Sequence, residues 1–380
     1  MRIAIQSADL DAKRIDGTRV YIFRLLERFG TLMPHEAWHL FHRNTFNSNL
    51  TPPSLPNYFF HRIPFPFFWT QTRFAWELSR LRPDRVFMPL QALPVLLPKG
   101  TASIVTIHDL AFKVFPEYFP TTDVRKLNWL TNFAVRRATR LIAVSESTKR
   151  DIVKYYPGTP PEKIRVIHHG FDEHVRIDDH SSTQTFPIQS SLKTAPLLEK
   201  FHLIPQEYLL YVGALQPRKN LLCLMKAFEV FGRAHTSAKL VLAGEAAWMS
   251  ESILRAHGEH PLRDRIVLTG SISFEERALL YQHARIFVYP SLYEGFGLPV
   301  LEAFSAGAPV ICANNSSLPE VAGEAAIFFD AMRSDELTEK LLSLWENTSQ
   351  RSTLIQKGRE RCKIFSWDTC AKETAEWIVH

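Results

Sequence analysis

The chain has 380 residues, more than one ordinary hydrophobic core holds, and this length favours two domains. Its 46% hydrophobic and 22% charged residues are typical of a folded globular protein and exclude a disordered one. The net charge is +6, but the lysines and arginines are scattered and lack the spacing of a zinc finger, RRM or homeodomain. We therefore expect no nucleic-acid partner, and a membrane surface or a nucleotide ligand suits the basic charge better.

The sequence predicts a cytoplasmic location. No apolar run reaches the roughly 18–20 residues that a membrane span needs. The first residues already read as a strand, which leaves no room for a signal peptide. The four cysteines show no CxxC spacing and read as reduced thiols: Cys223, Cys312, Cys362 and Cys370.

Short β-branched runs recur along the chain, each followed by a segment of helix length. In the first half they are Arg2–Ser7, His39–Arg43, Tyr58–Ile63, Arg85–Met88, Ser103–His108, Leu141–Ser145 and Arg165–His168. In the second half they are Tyr208–Gly213, Lys239–Ala243, Arg265–Thr269, Arg285–Tyr289, Ala308–Cys312 and Ala326–Asp330. Buried strands that alternate with helices predict an α/β fold of two doubly wound parallel sheets. The polar, aperiodic residues 178–196 between the two sets read as a linker or a nearby loop.

Two motifs of the first half lie at predicted strand ends, where doubly wound sheets bind their ligands. The stretch DGTRVYIFRLL (16–26) is a glycine turn into the first helix, and it would bring backbone N–H groups toward a ligand. The stretch SIVTIHDLAF (103–112) ends an apolar strand at His108 and Asp109. A single histidine at a strand end is also commonly structural, so both interpretations stay open.

The stretch YVGALQPRKNL (211–221) ends a strand at Gly213 and places Arg218 and Lys219 before a helix. Two adjacent cations at a helix start are unfavourable unless an anion binds there. A diphosphate would satisfy them, and the arginine can bind it bidentately. The alternative is a pair of solvated surface charges. The chain has no GKS or GKT phosphate loop and no GxGxxG, which argues against an ATPase or a dinucleotide dehydrogenase.

The stretch SLYEGFGLPVLEAFSAG (291–307) carries Glu294 and Glu302 around a Gly-Phe-Gly. Its glycines allow close backbone approach, and Pro299 suits the first turn of a helix. The N–H groups around Gly297–Val300 would then be free to bind an anion. Glu302 would lean toward the helix start and suit a ribose, while Glu294 would accept from hydroxyls at the ligand's other end. The alternative is a glycine turn with a glutamate that favours the helix dipole.

Together these motifs resemble a known family. Glu294-x7-Glu302 within YEGFGLPVLEAFSAGAPVI, with VGALQPRKN, VTIHDLAF, IAVSESTKRDI and RVIHHGFD, resembles family 4 of the retaining, nucleotide-sugar-dependent glycosyltransferases. The likeness covers nearly the whole chain and is greatest for bacterial mannosyltransferases that build O-antigen or other polysaccharides. It implies the GT-B fold, two Rossmann-like doubly wound domains facing across a deep cleft. The implied domains are residues 1–185 for the acceptor, with a C-terminal helix at 366–380, and residues 186–365 for the donor.

The resemblance also implies a role for each matching residue. Glu294 would hold hydroxyls of the donor sugar, and Glu302 would bind the ribose. Arg218 and Lys219 would stabilise the departing diphosphate, and His108 would face the donor sugar; these two cations, His108 and Glu294 are the catalytic candidates. The other donor-binding candidates are Gly17, Gly213, Ser271, Ile272, Gly295, Phe296, Gly297 and Leu298. The family often has an arginine directly after the glycine of the diphosphate motif, where this chain has Ala214.

The implied reaction moves a hexose, with GDP-mannose as the favoured donor, to a hydroxyl of a free or lipid-linked glycan. We expect no cofactor and no metal, because the cations and the helix end would stabilise the leaving diphosphate. A DxD at Asp9–Asp11 lies in the wrong domain for a metal-held donor and reads as a surface or acceptor-side loop. No carboxylate is placed as a nucleophile, so a front-face displacement is the working hypothesis. The alternatives are a UDP-sugar donor, an epimerase or phosphorylase of the same fold, or an inactive nucleotide-sugar-binding subunit of a glycan-assembly complex.

The stretch YFFHRIPFPFFWTQTRFAWEL (58–78) is dense in phenylalanine and tryptophan. One interpretation is a strand and an amphipathic helix packed within the first domain. The other is a surface that touches lipid or a lipid-linked acceptor at the inner face of the membrane. Nearby arginines favour the second: Arg62, Arg73, Arg80, Arg82 and Arg85.

Overall fold

The computed structural model describes residues 1–13, 15–171 and 191–380, with the backbone alone for 191–195. The predicted domain boundary at 185 and 186, and most of the predicted linker, lie outside the described residues. The chain divides into two compact units. The first begins with Met1–Val114, resumes at Thr122 and ends with Phe365–His380; the second contains Phe115–Thr121 and the chain that ends at Ile364.

The described part of the first unit contains a parallel sheet of seven strands in the order β3-β2-β1-β4-β5-β6-β7. Its strands are β1 (Arg2–Gln6), β2 (Ala37–His42), β3 (Tyr58–Arg62), β4 (Arg85–Met88), β5 (Ala102–Ile107), β6 (Arg140–Ala143) and β7 (Ile164–Val166). Four consecutive residues of β1 are buried, which is the pattern of a strand covered on both faces. Each strand predicted in the first half is confirmed within two residues.

The helices of the first half are α1 (Gly17–Leu32), α2 (Ala75–Leu81), α3 (Ala111–Val114), α4 (Thr121–Arg137) and α5 (Glu146–Tyr155). On α1 the buried residues recur at helical spacing, from Tyr21 through Leu25 to Phe29. The C-terminal helix α14 (Trp367–Val379) packs on α1 in this unit, where Asp368 accepts a hydrogen bond of 2.5 Å from Arg28.

The second unit contains a parallel six-stranded sheet, counted over its described residues, in the order β10-β9-β8-β11-β12-β13. Its strands are β8 (Tyr208–Val212), β9 (Lys239–Ala243), β10 (Ile266–Gly270), β11 (Ile286–Tyr289), β12 (Val310–Ala313) and β13 (Ala326–Phe329). Its helices are α6 (Ser191–Lys200), α7 (Leu221–Ala234), α8 (Glu251–Gly258), α9 (Phe274–His283), α10 (Leu298–Ser305), α11 (Leu318–Ala322), α12 (Ser334–Glu346) and α13 (Thr348–Cys362). The predicted α/β, doubly wound fold class is confirmed.

Both sheets reverse their strand order beside their first strand. The reversal lies between β1 and β4 in the first unit and between β8 and β11 in the second. Ligands of such sheets bind in the crevice outside the carboxyl ends of the strands at this reversal. The two positions are therefore the first places to look for a site. Among the described helices, none is both long and apolar enough to cross a membrane.

Candidate functional site

The charged residues of two sequence motifs, Arg218, Lys219 and Glu294, follow the two strands at the reversal of the second sheet. After β8 the chain makes a 3-10 turn at Pro217–Lys219, and α7 begins after Asn220, which has the left-handed φ of 58°. The Asn220 amide donates to the carbonyl of Pro290 at 3.1 Å and to that of Ala331 at 2.8 Å. These bonds tie the turn after β8 to the loop after β11, because Pro290 directly follows β11.

Arg218, Lys219 and Glu294 form one ion-paired group, called here the Glu294 cluster. Lys219 Nζ lies 2.5 Å from Glu294 Oε1 and 3.0 Å from the hydroxyl of Tyr289. Arg218 Nη1 donates to Glu294 Oε2 at 3.2 Å and to the carbonyl of Tyr293 at 2.9 Å. Lys219 is only 6% exposed and Glu294 only 7%. The alternative of two solvated surface charges is therefore wrong for Lys219.

The charges of the Glu294 cluster stabilise one another. Burial alone would raise the pKa of the Glu294 carboxyl, but the positive charges of Lys219 and Arg218 outweigh it and lower that pKa to about 2. The carboxylate is therefore ionised at neutral pH, and the two cations leave the cluster with one net positive charge. Such a group can attract an anion and still offer carboxylate oxygens to hydroxyl groups.

Two serines fix the backbone of the loop that carries Glu294. The N–H of Glu294 donates to the Ser316 hydroxyl at 3.0 Å. The Ser317 hydroxyl donates to the carbonyls of Glu294 and Phe296, at 3.0 and 2.6 Å. Sequence reasoning missed both serines, although the pair directly follows Asn314 and Asn315 after β12, a turn composition at a strand end. The loop around Gly295 and Phe296 is thus buried and held by hydrogen bonds.

The second glutamate of the motif lies on α10, five residues into the helix that begins at Leu298. Its carboxylate accepts a hydrogen bond of 3.0 Å from the Tyr281 hydroxyl and lies 3.3 Å from Arg277 Nη2. Both partners are on α9, and sequence reasoning missed both. Burial raises the pKa of Tyr281 well above its usual value, so this phenol stays a neutral donor. The Glu302 side chain is 20% exposed and keeps access to solvent.

The start of α10 differs in one respect from the prediction. Gly297 caps the helix with a φ of 113°, a conformation that favours glycine. The N–H of Val300 was predicted to be free for an anion, but it donates to the Gly297 carbonyl at 3.0 Å. That part of the prediction is wrong, because the carbonyl of the capping residue already accepts the first hydrogen bond of the helix.

The remaining candidates of the second unit are backbone positions at strand ends. Gly213 directly follows β8 with a φ of 150°, and a Cβ there would lie 2.6 Å from the Tyr211 hydroxyl. That hydroxyl donates to the Ala214 carbonyl at 3.1 Å, so no larger residue fits at Gly213 without a shift. Ser271 and Ile272 lie between β10 and α9, the first exposed and the second half-buried.

His108, in the first unit, directly follows β5. Its Nε2 lies 2.9 Å from the Pro89 carbonyl, and its Nδ1 lies 3.3 Å from Nε2 of His169. Both imidazoles meet the Tyr21 ring edge-on. Burial lowers the pKa of His108 and lowers that of His169 further, so both rings are neutral at physiological pH. The sequence motif contained His169, but its pairing with His108 was not foreseen.

The two short motifs after β1 lie in the same unit. Gly17 is the first residue of α1 and is exposed, and Asp16 caps the helix by accepting from the N–H of Arg19 at 3.2 Å. Asp9 and Asp11 lie on a 3-10 turn. Among the described side chains, no group of three or more His, Cys, Asp or Glu is placed to hold a metal ion. The metal-free reaction remains a prediction.

The aromatic stretch after β2 is part core and part surface. Trp69 and Phe74 are buried and stack with their centroids 5.2 Å apart. Four other rings, called here the aromatic patch, are exposed by 41% to 82%: Phe65, Phe67, Phe68 and Trp76. Arg73 and Arg80 lie over the Trp76 ring, 4.5 and 4.8 Å from its centroid. The packed strand and helix of the first interpretation are present, and an exposed basic aromatic surface accompanies them.

Comparisons with known proteins identify the family of the chain. The family model described as "Glycosyl transferases group 1" matches residues 198–361, and "Glycosyltransferase Family 4" matches residues 15–175. The chain is 31% identical over 303 residues to O-antigen chain mannosyltransferase B of Escherichia coli, covering 80% of this chain and 76% of the relative. It is 25% identical over 322 residues to O-antigen chain mannosyltransferase RfbU of Salmonella typhimurium, covering 80% of this chain and 81% of that one.

A solved structure shows the same fold. The crystal structure of HepE from Anabaena, in complex with UDP and glucose, matches with a TM-score of 0.72. The match covers 99% of each chain at 17% sequence identity. The GT-B fold class expected from the sequence motifs is confirmed.

Proposed function

The chain belongs to glycosyltransferase family 4, and we propose that it is a retaining mannosyltransferase that moves mannose from GDP-mannose to a glycan hydroxyl. The observation that carries this proposal is the Glu294 cluster, which lies beyond the carboxyl ends of β8 and β11, where the sheet reverses. The names of the two relatives, both O-antigen chain mannosyltransferases, support mannose as the sugar and polysaccharide biosynthesis as the process.

The cluster suits both ends of the reaction. Transfer breaks the bond between the anomeric carbon and the diphosphate, and negative charge develops on the departing phosphate. Lys219 and Arg218 are already held in place by Glu294, so they stabilise that charge without reorganising. The Glu294 oxygens accept hydrogen bonds from hydroxyls of the sugar, and Glu302 with Tyr281 offers a similar arrangement for the ribose.

Retention needs the new bond to form on the face that the phosphate leaves. In the proposed front-face step, the acceptor oxygen bonds to the anomeric carbon and its proton goes to the departing phosphate oxygen. The chain then supplies charge and position, and no metal takes part. We expect transfer to be unchanged after EDTA treatment and dialysis. A loss of activity that Mn²⁺ restores would contradict the metal-free part of the proposal.

The second candidate is the same reaction with a UDP-sugar. It is favoured by the HepE structure, which holds UDP and glucose on the same fold. Calorimetric titration with GDP-mannose, UDP-glucose, ADP-glucose and TDP-glucose separates the two. We expect GDP-mannose to bind most tightly. Tighter binding of UDP-glucose would select the second candidate, and a failure to bind any of the four would overturn the proposed function.

The proposal places the protein in the cytoplasm, at the inner face of the membrane, where it would meet a lipid-linked glycan. Its cysteines are free thiols, as in a reducing compartment. The aromatic patch with its arginines fits a surface of anionic lipids.

We expect the protein to sediment with vesicles of phosphatidylglycerol, and we expect a variant with both Phe67→Ser and Phe68→Ser to lose this sedimentation. Met332→Ser, at a residue 80% exposed in the second unit, is the control. Equal sedimentation of both variants would contradict the membrane contact.

A further inference from the structure

A second group of polar side chains lies where the sheet of the first unit reverses. A cavity of about 370 Å³ opens beyond the carboxyl ends of β1, β2 and β4. Its polar lining includes Gln6 at the end of β1, Asp9 and Asp11 on the following turn, and Arg43 directly after β2. This volume lies within the range of about 300–1,000 Å³ that small-molecule pockets occupy. The strand order thus gives both units a site at the corresponding place.

Gln6, Asp11 and Arg43 are each held in place by one contact, and each has a second polar atom that makes no hydrogen bond within the described residues. Gln6 Nε2 donates to Asp9 Oδ2 at 3.0 Å. Asp11 Oδ2 accepts from the N–H groups of Arg43 and Asn44, at 2.9 and 2.5 Å. The Arg43 side chain lies over the Trp69 ring, 5.9 Å from its centroid. These contacts hold the side chains in place but do not give every polar atom a hydrogen-bond partner.

The unused atoms are buried. Gln6 Oε1, Asp11 Oδ1 and Arg43 Nε have no hydrogen-bond partner among the described residues. His42 Nδ1 lies 3.8 Å from Asp11 Oδ1, beyond hydrogen-bond distance, and makes its short contact of 2.6 Å with the Asn44 carbonyl. Gln6 is 7% exposed, and the Asp11 side chain is 6% exposed. A buried polar atom without a hydrogen-bond partner destabilises the folded protein, so three of them around one cavity are unusual. A ligand that bonds to all three would remove this cost.

The chemistry of the three atoms selects the ligand. Two of them accept hydrogen bonds and one donates, and a hydroxyl group both donates and accepts. Asp9 and Asp11 outnumber Arg43, so the charges of the cavity disfavour a phosphate. Trp69 and Met88 add apolar surface to the lining. A neutral ring with several hydroxyls, such as one sugar residue, matches this combination.

We propose that this cavity binds a sugar residue of the acceptor glycan through its hydroxyl groups, and that Gln6, Asp11 and Arg43 recognise it. That this sugar belongs to the acceptor rests on the proposed function. That the cavity binds a sugar rests only on the cavity's own residues. The acceptor would then be recognised by its glycan rather than by a lipid-linked phosphate.

Binding is tested on the full chain by ligand-observed NMR with methyl α-mannoside, and separately with pyrophosphate. Gln6→Leu and Asp11→Asn should each weaken the mannoside by about tenfold, as expected for one lost hydrogen bond to a buried group. The introduced asparagine keeps an oxygen for the two loop N–H groups. The introduced leucine removes an unsatisfied acceptor together with the hydrogen bond to Asp9, and these two effects oppose each other, so thermal stability should change little in either variant. Asp123→Asn, an exposed acid of the same unit, is the control.

The outcomes are distinct. Unchanged mannoside binding in both folded variants would overturn the proposal, as would no mannoside binding to the natural chain or displacement of the mannoside by pyrophosphate. In transfer assays the two variants should raise the KM for acceptor about tenfold and leave the KM for GDP-mannose unchanged. Mannoside binding without any nucleotide-sugar binding would refute the proposed function but support the cavity as a sugar site. Nucleotide-sugar binding without mannoside binding would refute only the cavity as a sugar site.

Discussion

The two sheets both place polar side chains beyond the strands at which their order reverses, but they satisfy these side chains differently. In the second unit Lys219, Arg218 and Glu294 bond to one another. In the first unit Gln6 and Asp11 each keep a buried oxygen without a hydrogen-bond partner among the described residues, and the Asp11 oxygen lies 3.8 Å from His42 Nδ1. One site is assembled before its ligand arrives, whereas the other depends on a ligand to complete its hydrogen bonds.

The difference follows from the charge that each site would meet. A departing diphosphate develops charge that must be stabilised at once, which favours cations held rigidly by a carboxylate. A neutral sugar brings its own donors and acceptors, so the protein needs only atoms fixed in position and free to bond. Substitutions in the Glu294 cluster should therefore affect stability and catalysis together, whereas those at Gln6 and Asp11 should affect sugar affinity alone.

The largest effect is expected at Glu294. Glu294→Gln leaves two cations around a neutral amide, so turnover should fall by about two to three orders of magnitude. The free energy of unfolding should fall by about 3–5 kcal/mol, since a buried ion pair loses one partner. Transfer kinetics and urea unfolding measure both. Glu324→Gln is the matched control, because that carboxylate is 90% exposed in its pair with Lys357. Equal turnover and equal free energy of unfolding in Glu294→Gln and Glu324→Gln would contradict the role given to the Glu294 cluster in both catalysis and stability.

Acid should weaken the same cluster. The pKa of Glu294 in the folded chain, about 2, lies below its ordinary 4.5, so the unfolded chain takes up this proton first as the pH falls. The stabilisation is complete above the ordinary value and is lost as the pH falls toward 2, by about 3 kcal/mol in all. Urea unfolding across this interval should therefore show the natural chain and Glu294→Gln converging. A constant difference between them would show that the carboxylate is not held by the cations.

Lys219→Ala tests the phosphate role with a smaller expected effect. The dissociation constant for GDP should rise by about 10- to 100-fold, because a charge-assisted bond to the diphosphate is lost. GMP, which lacks the second phosphate, should be affected less. Calorimetry on both nucleotides measures the difference, with Lys357→Ala as the exposed control. Unchanged GDP affinity would remove Lys219 from the donor site.

The smallest effect is expected at Glu302. Glu302→Gln should weaken GDP by about tenfold, since a carboxylate that accepts from ribose hydroxyls is replaced by an amide. The variant should also discriminate less against GDP that lacks those hydroxyls. Tyr281→Phe keeps the carboxylate and removes only its neighbouring donor, so its affinity for GDP should change less. Equal loss in the two variants would assign the effect to the packing between α9 and α10.

The sequence was sufficient for the architecture. Every strand of the described chain was placed within two residues, because buried parallel strands are continuous apolar runs between turn residues. The largest offsets have local causes. For example, β12 begins at Val310 rather than Ala308, after Pro309, which has no N–H to give to a sheet.

The sequence was not sufficient for the pairing of side chains. Arg218 and Lys219 were recognised, and so was Glu294, but the two motifs lie about 75 positions apart and meet only because β8 and β11 are neighbours. The same holds for Gln6 and Arg43 around the first cavity. Strand order is a long-range property that no local pattern encodes, and the partners on α9 were missed for this reason.

The most direct test of the Glu294 cluster as the donor site is a crystal structure of the protein with GDP-mannose. We predict that a phosphate oxygen lies within hydrogen-bond distance of Lys219 Nζ or the Arg218 guanidinium, with sugar hydroxyls on the Glu294 carboxylate. A nucleotide bound elsewhere, with the cluster unchanged and without ligand, would contradict the account.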